Sequence, residues 1–144
     1  MESDTPARYS EAMSQENVES VRRVYSERAR GNFAAGAELF AADAVWTWEV
    51  PEGRTVSHGL EEAARNLRAF LDQWKHFRVE ADEFIELDER SILVVGRIHG
   101  RGEQSGADTE ARTFEIWTFK GGKVIGQHQS FDREGALEAA GLSE

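Results

Sequence analysis

Apolar positions along this chain follow two periods, and the switch between them divides it. Val18, Val21, Val24 and Tyr25 recur at three- and four-residue intervals, predicting an amphipathic helix that Ser14 can cap and Gly31 can end. Asn32 opens a shorter helical segment with Phe33, Ala37 and Phe40 on one side, which ends before Asp43 and completes a helical hairpin. At 44–50 the period falls to two, because Trp46, Trp48 and Val50 alternate with Val45, Thr47 and Glu49; Pro51, Glu52 and Gly53 close this strand. After a loop, Leu60, Ala63, Ala64, Leu67, Phe70, Leu71 and Trp74 return to helical spacing, giving a third helix broad enough to lie across a sheet.

The rest reads as strand. Phe77, Val79, Ala81, Ile85 and Leu87 alternate with charged residues, predicting one wet face. Segments 92–99 and 113–119 are apolar at both parities, so both sheet faces are expected to be covered there. The helices serve one face. A second subunit on the other makes a homodimer the expected assembly, the alternative being an apolar solvent face. A loose turn at 102–106, a tight one at Gly121-Gly122, a last strand at 124–131 and a short helix at 132–140, capped by Asp132 and stopped by Gly141, complete the order. Helices followed by strands in meander predict an α+β fold: a strongly curved antiparallel sheet with three helices of the N-terminal half covering one face. Residues 1–13, polar and aperiodic, read as a flexible tail, and 14–144 as one domain.

Composition narrows the partners. The 144 residues carry 17 basic and 27 acidic side chains, a net charge of −10, which disfavours nucleic acid and anionic membrane. With no cysteine there is no disulfide framework, thiolate metal site or cysteine nucleophile. No apolar run reaches the length of a membrane span, and the N-terminus has no signal-peptide pattern, so the expected location is cytoplasmic. The four histidines, at 58, 76, 99 and 128, have no ligand spacing, so no metal is expected. No nucleotide fingerprint or serine triad appears, and no cofactor is expected.

The segments VRRVYSERARGNFAAGAELFAADAVWTW, SHGLEEAARNLRAFL and FEIWTFKGGKVIGQHQSFDREGALEAAGL, in that order, resemble a SnoaL-like member of the nuclear transport factor two-like superfamily, over about Ser14 to Leu142. The resemblance implies a cone-shaped α+β barrel around a small hydrophobic pocket. It spans ketosteroid isomerases, polyketide cyclases, epoxide hydrolases and non-catalytic binding proteins, so function must come from individual residues. The isomerase's base position falls on Trp48, and the epoxide hydrolase's last-strand aspartate on Gln129. The isomerase's helix tyrosine falls near Val24, one residue from Tyr25, making Tyr25 an oxyanion-donor candidate if the register slips and a core aromatic if it does not.

Glu115 is the candidate acid or base. It takes the isomerase's second carboxyl position and shares a strand face with Trp117 and Phe119. Aromatic surroundings would penalise its charged form and suit it to proton transfer. The competing reading is a surface glutamate paired with Arg112 or Arg97. Trp46, Trp48 and Trp117 are either the walls of a pocket for a small apolar molecule or plain core. Gln127 and Gln129 can orient a ligand oxygen or face solvent. His128, out of phase with both, should face away. Three functions follow: a cofactor-independent isomerase, cyclase or hydrolase using Glu115; a hydrophobic-ligand-binding domain without turnover; or a dimeric interaction module.

Overall fold

A computed structural model describes the backbone of residues 4–50 and 53–139 and the side chains of 15–49 and 53–138. The turn at Pro51 and Glu52, the stop at Gly141 and the Ser14 cap lie outside these. Among the described residues the order is α1 (Asp4–Arg28), a single 3-10 turn (Ala37–Leu39), β1 (Phe40–Val50), β2 (Gly53–His58), α2 (Gly59–Leu71), β3 (Trp74–Glu86), β4 (Ser91–Gly102), β5 (Asp108–Lys120), β6 (Lys123–Ser130) and α3 (Arg133–Ala139). The α+β class is as expected, with three α-helices and one six-stranded sheet ordered β2-β1-β6-β5-β4-β3.

The sequence reading is overturned at five points, one being that Trp74, expected as the last apolar position of the helix begun at Leu60, instead opens β3. The helix expected from Ser14 begins at Asp4. The second helix does not form: 29–36 are turns, and Gly36, at φ 87, leads into the 3-10 turn. A Cβ on Gly36 would collide with the Val24 side chain, so this left-handed glycine lets the chain double back against α1. The third α-helix is therefore α3, at the C-terminal end. The segment after Gly53, expected as a loop, is strand β2, paired with β1 from Val50↔Gly53 to Val45↔His58. Finally, the sheet is mixed. β1 runs parallel to β6, which is possible because α2 and four strands separate them in sequence and supply the crossover a parallel pair needs.

The two-sided apolar strands have a local cause. Ile92, Val94, Trp117 and Phe119 point inward onto Val21, Val24 and Tyr25 of α1. Leu93, Val95 and Ile116 point outward, where Ala136 and Leu137 of α3 cover them. Asp132 caps α3, its Oδ2 accepting the Gly135 N–H at 2.8 Å, a contact of about 1 kcal/mol. The chain thus covers part of its own outer face.

The sheet bends where β3 loses register against β4, between Lys75 and Arg78 and between Ala81 and Glu83. Gly96 faces the second shift, and a side chain there would strike the Glu80 carbonyl. The β5–β6 hairpin closes on Gly121 and Gly122 at φ 60 and 79, the double left-handed turn that suits strand twist.

Candidate functional site

Two rows of inward side chains cross three strands. One is Trp46 on β1, Gln127 on β6 and Trp117 on β5; the next is Trp48, Gln129 and Glu115. Strand alternation fixes their common face, and the pairings fix their neighbours. The last turns of α1 lie over these rows, because Tyr25 and Arg28 continue the stripe of Val21 and Val24.

Glu115 is buried, at 6% exposure, and is the one carboxylate so buried among the described residues. Its contacts converge on Oε1. The Tyr25 hydroxyl donates to it, the Gln127 amide donates at 2.6 Å, and the Arg28 guanidinium lies 3.9 Å away. Trp117 Nε1–H in turn donates to the Tyr25 oxygen at 3.0 Å. Hydrogen bonds to a charged acceptor are worth about 1.5–3 kcal/mol each, which offsets the cost of holding a carboxylate away from water. The surface alternative for Glu115 is excluded: Arg97 forks onto Asp82 at 3.0 Å, and Glu115 faces Arg28 instead.

Burial, followed by the charge on Glu115, raises the Tyr25 phenol well above its ordinary value of 10.0, with Arg28 pulling the other way. Tyr25 therefore keeps its proton and serves as a donor. Arg28 is held over the rings of Tyr25 and Trp117, at 5.5 and 5.4 Å from their centroids. Its Nε and the Gln129 Nε2 are buried without a hydrogen-bond partner among the described residues, an arrangement that costs about 1–3 kcal/mol per group unless an acceptor arrives.

The aromatic residues separate into two groups. Phe40 stacks between Trp46 and Trp117, at centroid distances of 4.7 and 5.5 Å, so those two tryptophans pack against the protein's own core. Trp48 is only half-buried, beside Gln129. Two surface clefts flank the sheet. One of about 760 Å³ runs between α1 and β3 past Arg22 and Phe84; another, about 210 Å³, lies on the outer face along Val45, Thr47, Ile116 and His128. His128 does face outward, 2.9 Å from Glu49.

The sequence reading missed Arg28 and Phe40. Arg28 was available as the next member of the stripe through 21, 24 and 25. Phe40 was hidden by assigning it to a helix that does not form. No helix among the described residues is long and apolar enough to cross a membrane. Nor do any three His, Cys, Asp or Glu side chains there group to hold a metal ion.

A bent sheet with helices over its inner face and one carboxylate bonded among aromatics defines a small α+β domain of the cone-shaped type. Residues 8–127 match the SnoaL-like domain, and the chain belongs to that family. No curated protein matches it. Among solved structures it resembles an NTF2-like protein from Burkholderia pseudomallei, at 23% identity over 85% of this chain and 95% of that one, with a TM-score of 0.70. A putative SnoaL-like polyketide cyclase from Jannaschia is 16% identical over 90% and 94%, TM-score 0.70. A protein of ketosteroid isomerase-like fold from Catenulispora acidiphila, in complex with trimethylamine, is 14% identical over 87% and 94%, TM-score 0.69. At such identities the likeness is one of fold.

Proposed function

We propose that this chain acts on a small apolar molecule without a cofactor, Glu115 moving a proton as an isomerase, cyclase or hydrolase would require. The observation that carries the reading is the buried carboxylate whose Oε1 is engaged by Tyr25 and Gln127, an arrangement that fixes the group and leaves Oε2 for the ligand. Proton transfer from a carbon beside a carbonyl needs one such base and a donor for the oxygen that becomes negative. Relatives of fold described as a polyketide cyclase and as ketosteroid isomerase-like make this class of chemistry reasonable.

The test is hydrogen–deuterium exchange at the acidic carbon of 2-tetralone in heavy water, followed by proton NMR. The wild-type protein is expected to accelerate exchange over buffer, and Glu115→Gln to lose on the order of 10²–10⁴-fold of that acceleration. Equal exchange by the two proteins would favour the second reading, capture of a ligand without turnover. That reading has its own support, because Trp48 and Gln129 stand where the resemblance would place acids.

The proposal extends to assembly. Val45 and the exposed Val56, on the part of the outer face away from α3, suit contact with a second copy in a homodimer. Light scattering that returned a monomer mass at high concentration would remove this part.

A further inference from the structure

The two unpartnered donors, Arg28 Nε and Gln129 Nε2, belong to neighbours of Glu115. Gln129 is directly opposite it in the β5–β6 ladder, and the Arg28 guanidinium is 3.9 Å from its Oε1. Trp48, paired with Gln129 and half-buried, adds an aromatic wall to the same row. We infer that the N–H groups of Arg28 and Gln129 receive the ligand's oxygen, and that the site selects a neutral, ring-bearing carbonyl compound over an anion of the same shape. This rests on the reading of Glu115 as the proton-transferring group of a small-molecule site.

The selection follows from charge. Arg28 and Glu115 contribute one positive and one negative charge, while Tyr25, Gln127 and Gln129 contribute none. An arriving carboxylate would set two negative charges against one guanidinium, in a setting where screening is weak. A neutral carbonyl adds no charge. When Glu115 takes a proton from the adjacent carbon, the C–H electron pair forms the new C=C bond and the carbonyl π pair moves onto oxygen. Glu115 becomes a neutral acid as the ligand oxygen becomes negative. The negative charge changes place beside Arg28 and its total does not change. Arg28 and Gln129 therefore determine specificity, and they bind the enolate oxygen more strongly than the ketone oxygen.

Calorimetric titration of 2-tetralone and of 2-naphthoate at neutral pH tests this. Wild-type protein is expected to bind the ketone at least about tenfold more tightly than the carboxylate. In Glu115→Gln the guanidinium loses its counter-charge, and naphthoate affinity should rise about tenfold or more. Gln129→Leu, which keeps the test open should Glu115→Gln fail to fold, is expected to weaken ketone binding about tenfold and leave the ratio of the charged pair intact. Equal or tighter naphthoate binding by wild type, no gain in folded Glu115→Gln, or no binding of either compound overturns the inference. A ketone preference without catalysed exchange would defeat the proton-transfer reading alone. Exchange without a ketone preference would defeat this inference alone.

Discussion

Tyr25 donates its phenolic hydrogen bond to Glu115 across 90 positions of sequence, joining the end of α1 to the middle of β5. Its oxygen also accepts from Trp117. One hydroxyl therefore holds both the candidate base and an indole of the core.

Replacing Tyr25 by Phe removes that hydroxyl while keeping the ring. The Trp117 N–H then loses its acceptor and Glu115 loses a donor, both in buried surroundings. Urea unfolding is expected to show a loss of about 1–3 kcal/mol. An unchanged midpoint and slope would mean that the hydroxyl contributes nothing net.

Alkaline stability should carry the same signature. Burial and the Glu115 charge raise the folded-state value of Tyr25 above its ordinary 10.0, so the folded protein holds this proton more tightly than the unfolded chain. That contribution is complete below the unfolded value and is lost as pH rises through the folded one. Unfolding free energy should fall above about pH 10 in wild type and fall less steeply in Tyr25→Phe. Parallel curves for the two proteins would contradict the assignment.

Phe40 fills the space between Trp46 and Trp117. Phe40 is itself only partly buried, so Phe40→Ala should destabilise the fold by about 2–3 kcal/mol and leave an aromatic-lined gap. A thermal-shift measurement with benzene is expected to raise the melting temperature of the variant and not of wild type. The same shift in both would show that the interior already admits a ring.

Leu137 seals the outer face of β4 and β5 with Ala136. Leu137→Asp places an unpaired carboxylate against Leu93, Val95 and Ile116. The expected cost is at least about 3 kcal/mol, with increased binding of a hydrophobic dye. Wild-type stability in this variant would mean that α3 is not docked in solution.

Much of this arrangement was legible because it rests on local periodicity. The two-residue alternation grouped Glu115 with Trp117 on one face of β5, and Gln127 with Gln129 on one face of β6 with His128 opposite; the strand ladder then joined those two faces. The three- and four-residue spacing of α1 carried Tyr25 with Val21 and Val24. Asp132 announced the cap of α3 by residue type and position. Each of these follows from geometry that a residue shares with neighbours a few positions away.

What only the tertiary structure decided depends on contacts between distant segments. The outward Leu93, Val95 and Ile116 gave no sign that their cover would be Ala136 and Leu137 of the same chain. The strand character of 53–58 emerges only by pairing with β1, and the parallel β1–β6 register only because α2 and the meander bring those strands side by side. Phe33 and Phe40 have helical spacing, yet Gly36 turns the chain sharply and long-range packing outweighs that weak local preference. The meeting of Tyr25, Arg28 and Gln127 at one oxygen of Glu115 is the clearest case. Alternation fixed which way Glu115 points, but its partners come from α1 and β6, and only the folded sheet beneath the helix brings them within reach of one another.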